Sequence, residues 1–126
     1  MDFALINWTA VLVGWVVAFV VGFLIYAPFA FGPKWAAGSH LEGKTPDKMP
    51  MGAVFAQGLA TFLLALIIGL TETAEAIDAA ILAILTVAAF AFALGSFGLK
   101  SMFARVVDTG AVVVFGILMI LAQGIF

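Results

Sequence analysis

The sequence contains no cysteine, which excludes disulfide staples, thiolate catalysis and cysteine-bound metal. Its only histidine, His40, lies outside the long apolar stretches. A haem iron or a pigment metal held by imidazole inside a membrane is therefore not expected, and one histidine alone makes a poor metal site. Charge is scarce as well: five Lys or Arg and seven Asp or Glu make up 10% of 126 residues, against about 25% in soluble domains. No stretch is basic enough to engage nucleic acid. There is no serine–histidine–acid set, no intramembrane pair of carboxylates and no phosphate-cradling glycine loop. No enzyme is expected, no catalytic residue or metal ligand is nominated, and no cofactor is called for.

Apolar residues are what the chain has, at 66% of the total against about 45–50% in soluble domains. The charges cluster between uncharged runs, Phe3–Pro33, Met49–Thr71, Ala79–Leu99 and Thr109–Phe126. A helical crossing of the hydrocarbon needs about 20 residues. Period-two alternation, the mark of a barrel, is absent, and every backbone group must be satisfied in lipid, so each run reads as a helix. Pro28, Gly32 and Pro33 should stop the first near Ala27. The fold expected is an all-α membrane protein in one domain. Four transmembrane helices, at about 6–27, 49–71, 78–99 and 106–126, form two hairpins around a first loop at 28–48. The first span is too long, and lacks the basic start, for a cleaved signal peptide.

Lys34, Lys44 and Lys48 lie in the first loop and Lys100 and Arg105 in the third, whereas the second carries only Glu72, Glu75 and Asp78. Cytoplasmic loops retain Lys and Arg, so the first and third loops are expected in the cytoplasm and both termini on the opposite side. The first loop reads as an aromatic exit from Tyr26 to Trp35 and a polar turn from Gly38 to Lys44. After these, Thr45 is an N-cap and Pro46 a first helical residue.

These elements resemble a known family, the domain-of-unknown-function 1761 family of small bacterial integral membrane proteins. The resemblance rests on Asn7-Trp8 opening the first span, Tyr26-x-Pro28 followed by Phe31-Gly32 and Trp35, Thr45-x-Asp47-x-Met49 leading into the second span, and Asp108-x-Gly110 opening the last. It implies a four-helix membrane fold in a bacterial inner (cytoplasmic) membrane, and no activity.

Within the spans, Gly14, Ala18 and Gly22 recur every fourth residue and so line one helix face. Such a face suits close packing, inside the bundle or along a homodimer seam. Polar residues in lipid are where function is sought first, and the candidates are Gln57, Thr61 and Ser96. They would either line a path or form interhelical hydrogen bonds. Asp108 follows Arg105 by three residues at the outset of the last span, which suggests an N-cap or a local ion pair. Trp8, Trp15, Tyr26 and Trp35 read as interface anchors and core packing. Phe31-Gly32-Pro33-Lys34 and Phe97-Gly98-Leu99-Lys100 echo one another as closures of odd-numbered helices, the pattern of a parallel repeat. Tyr26, Trp35, Lys100, Arg105 and Asp108 mark the cytoplasmic face as the place for a site.

Two functional classes remain. One is a structural or accessory protein that packs with itself as a homo-oligomer or with other membrane proteins, with lipid as its solvent. The other is an oligomeric small-solute transporter or channel.

Overall fold

The computed structural model describes residues 1–41 and 51–126, so the expected cap at Thr45 and Pro46 lies outside the described residues. The described residues form five α-helices and no strand: α1 (Trp8–Ile25), α2 (Gly32–Gly38), α3 (Met51–Glu72), α4 (Ile77–Phe97) and α5 (Met102–Ile125), after a single 3-10 turn at Phe3–Leu5. All but α2 are long and apolar enough to cross a membrane.

Local chemistry sets the ends. The Asn7 side chain accepts from the Ala10 amide and starts α1, and the Ser101 hydroxyl accepts from the Ala104 amide and starts α5, each satisfying an amide that the helix itself leaves unpaired. Because Ser101 caps α5, the last helix begins several residues before the expected position, and Asp108 sits in its second turn instead of at its cap. The chain leaves α1 at Tyr26 through a turn in which the Gly32 amide donates to the Ala27 carbonyl at 3.2 Å. A side chain at Gly32 would strike the Tyr26 carbonyl. Pro33 then falls in the first turn of α2, where its fixed φ is pre-set for a helix. The Phe31–Lys34 segment thus opens a short helix, whereas its echo, Phe97–Lys100, closes α4. The two do not hold equivalent positions.

Helix α5 is the centre, packed most extensively on α1 and α4 and also touching α2 and α3. Small residues allow this. A Cβ on Gly14 would lie 3.2 Å from the Met119 Cα, one on Gly22 would lie 3.1 Å from the Phe115 ring, and Ala18 is fully buried. The Gly14–Ala18–Gly22 face therefore meets α5 of its own chain. Gly116 receives Ile84 of α4, and Gly69 of α3 faces Val11 of α1. In lipid, where apolar surface has no water to escape, such close approach supplies most of the helix association.

The packing is uneven along the bundle. Val11, Leu64, Ile68, Ile84 and Met119 form a tight core toward the end that holds the termini and the α3–α4 turn, where the Asp2 amide donates to Thr73 at 3.0 Å. On α3 every buried residue lies from Thr61 onward, and none of positions 51–60 is buried. At the other end the helices stand around an open-sided space.

Candidate functional site

The open end is organised by one carboxylate. Asp108 Oδ1 accepts from the Tyr26 hydroxyl at 2.6 Å and from Trp35 Nε1 at 2.8 Å, while Oδ2 pairs with Lys100 Nζ at 2.8 Å. A carboxylate offers acceptors only, so the phenol, the indole and the ammonium are the donors. Tyr26 and Trp35 meet edge to face with ring centroids 4.9 Å apart, and the Lys100 ammonium stands 5.2 Å from the centre of the Trp35 ring. Asp108 thereby joins the end of α1, helix α2 and the α4–α5 turn to α5. The backbone reinforces this: the Ser101 amide donates to the Gly38 carbonyl and His40 Nε2 to the Leu99 carbonyl, both at 2.8 Å. Leu99 takes a left-handed φ of 58° to do so.

This cage closes one end of a cavity of about 830 Å³ lying among all four long helices. Phe19 and Gly22 of α1, Val54, Gln57 and Thr61 of α3, Gly95 of α4, and Ala111 and Phe115 of α5 are among its walls. The cavity is mostly apolar with a few convergent polar groups, the usual character of a small-molecule site. A second, wholly apolar groove of about 530 Å³ runs along the α1–α3 face past Trp15, Gly58 and Phe62. Phe19 and Val54 line both spaces. Trp15 Nε1 donates to the Gly58 carbonyl at 3.0 Å and holds α1 to α3 beside the groove.

The residues singled out from sequence divide as follows. Gln57 and Thr61 both face the cavity, and Thr61 Oγ1 donates along the helix to the Gln57 carbonyl at 2.6 Å. Ser96 is not with them; its hydroxyl donates to the Phe92 carbonyl of its own helix at 2.8 Å. Tyr26, Trp35, Lys100 and Asp108 meet at one point. Arg105 stays apart, its guanidinium 6.0 Å from the centre of the Phe92 ring and its stem against Gly95. The ion pair of Asp108 is with Lys100 rather than with Arg105, because Arg105, three residues back on the same helix, is turned toward α4. Trp8 is half-exposed at the opposite end.

No local spacing could have revealed the cage, since Tyr26 and Trp35 reach Asp108 across 82 and 73 positions. What the sequence does show is that Tyr26, Trp35, Lys100 and Asp108 all fall in or beside the two loops that carry the basic residues.

No curated protein and no solved structure matches the chain. A family model described as "Protein of unknown function (DUF1761)" matches residues 9–124. That range takes in all four long helices except the first residue of α1 and the last of α5, and it holds every cage residue. The chain belongs to the DUF1761 family.

Proposed function

We propose that this membrane protein binds a small amphipathic molecule inside its own bundle. One observation carries the reading: the four long helices of a single chain stand around an open-sided cavity of about 830 Å³, with a polar cage at one end and a close-packed core beyond it. A bundle needing only mechanical stability would gain by closing along its whole length, because close helix packing is what drives association in lipid. Handling of a small solute thus needs no pore between subunits. The accessory reading, in which the chain packs with itself or with a larger complex, drew on small-residue helix faces, few polar residues and little extramembrane mass. The clearest of those faces, Gly14–Ala18–Gly22, is taken up by α5, which favours the cavity over a seam along α1.

We also read the membrane as a bacterial inner membrane and the Lys- and Arg-bearing end as cytoplasmic, supported by the first and third loops carrying all five Lys and Arg residues of the sequence. A cysteine at Lys34 should then react with an impermeant maleimide only after the cells are opened; reaction in intact cells would reverse the orientation.

The binding reading is tested by native mass spectrometry of the chain extracted gently from its own membrane. The expected spectrum shows one discrete amphiphile retained by the wild type and lost from Ala91→Trp, which puts an indole into the cavity from its α4 wall. The same bulk lipids on both proteins would refute it.

A further inference from the structure

We propose, resting on that reading, that the ligand is a single-chain amphiphile with an anionic head, drawn sideways from the bilayer between α1 and α3. Its head would sit on Lys100 and its tail would run past Phe19 and Val54 into the apolar groove.

A carboxylate flanked by a phenol and an indole is a surrounding that suits a cation, but this chain supplies the cation itself. Lys100 Nζ is 2.8 Å from Asp108 Oδ2, and both oxygens of Asp108 already accept hydrogen bonds. A positively charged ligand would have to displace Lys100. An ammonium has three N–H donors, and among the described residues Lys100 uses one of them, on Asp108. What the cavity offers a ligand is therefore an ammonium with spare N–H donors, its charge balanced by Asp108, and the Gln57 amide as a second polar contact.

The wider charge agrees. Among the described residues this end carries Lys34, Lys100 and Arg105 against Asp108, while the other end carries Asp2, Glu72, Glu75 and Asp78 and no Lys or Arg. An anion is drawn to the first end and repelled from the second.

Phe19 and Val54 line both the cavity and a groove that also takes in Trp15, Phe55, Gly58, Leu59 and Phe62, without a polar side chain apart from the Trp15 indole, which is already bonded to the Gly58 carbonyl. The groove fits one tail. It runs beside the half of α3 that buries no residue, so the wall facing the bilayer is the one least held by packing.

The test uses the full chain in zwitterionic phosphatidylcholine nanodiscs and reads tryptophan emission, Trp15 being in the groove and Trp35 at the cage. Dibromostearate, whose bromines quench at short range, should give saturable quenching. Dibromostearyl alcohol, with the same tail and no charge, should bind about tenfold more weakly or worse, the loss expected for a charge-assisted contact. Lys100→Gln should bring the two within about threefold, and Lys100→Arg should preserve the preference. Should Lys100→Gln fail to fold, Gly58→Leu, which occupies the groove, should weaken dibromostearate by about tenfold and leave the short acid bromohexanoate unchanged.

Alcohol binding as tightly as the acid would overturn the anionic head while leaving the cavity reading intact. Displacement of dibromostearate by acetate or inorganic phosphate at equal concentration would overturn the tail and point to a free small anion. If none of the probes saturates, both the inference and the cavity reading fall.

Discussion

Replacing Asp108 with alanine removes the acceptor shared by three donors from three parts of the chain. The Lys100 arm is partly solvated, with side chains 29% and 17% exposed for Lys100 and Asp108, so its loss should cost only about 0.5 kcal/mol after screening. The Tyr26 hydroxyl and Trp35 indole are half-buried, and each loses a bond to a charged acceptor, at about 1–1.5 kcal/mol apiece once partial resolvation is allowed. The total expected is about 2–4 kcal/mol. The assay is reversible unfolding in mixed dodecyl maltoside and SDS micelles, followed by circular dichroism. Asp78→Ala serves as control, since Asp78 is exposed and accepts only from the adjacent Ala79 amide; it should change stability by less than about 0.5 kcal/mol. Tyr26→Phe and Trp35→Phe should each lose about 1 kcal/mol in the wild type and almost nothing in Asp108→Ala, because pairs that share a partner are not additive. An Asp108→Ala protein as stable as Asp78→Ala would refute the claim that this carboxylate ties the open end together.

Two further outcomes follow from the packing and the turns. Gly14→Leu should fail to fold or lose about 3 kcal/mol or more, because even a Cβ there meets the Met119 backbone at 3.2 Å; Gly52→Leu, with open space around it, should leave the unfolding midpoint unchanged. Glu75 holds a left-handed φ of 54° in the exposed α3–α4 turn, so Glu75→Gly should raise stability by about 1 kcal/mol in the same micelle assay, and a fall in the midpoint would count against strain at that turn.

The long helices were legible because hydropathy dominates this chain, and the largest shift of an end came where a cap outweighed a charge. The last span, expected from 106, begins at Met102 because Ser101 satisfies its free amides, and a helix in this position tolerates Arg105 and Asp108 in its first two turns. Helix α2 was hidden because Gly32 and Pro33 both look like terminators, although proline in a first turn starts a helix as readily as it stops one. The tight register of Gly14 and Ala18 was visible as a four-residue period, but which partner they meet depends on tertiary arrangement. The cage shows the limit of local reading. Its four members were each marked as belonging to one face, yet pairing Asp108 with Arg105 followed a three-residue rule that the turn at Leu99 overrides by delivering Lys100 instead.

The cage draws on α1, α2, α5 and the turn before α5, but takes nothing from α3. Helix α3 nonetheless supplies Ala53, Val54 and Gln57 to the cavity wall, from the half in which no residue is buried. Substitutions at those three positions change the shape of the cavity without touching the cage bonds or the buried core, and positions of this kind change stability little. On the proposed reading, the shape of the binding space and the stability of the bundle are thus written on different helices. A lineage carrying this fold would then refit the tail side of its ligand by editing a single wall, while the cage keeps both the head contact and the fold.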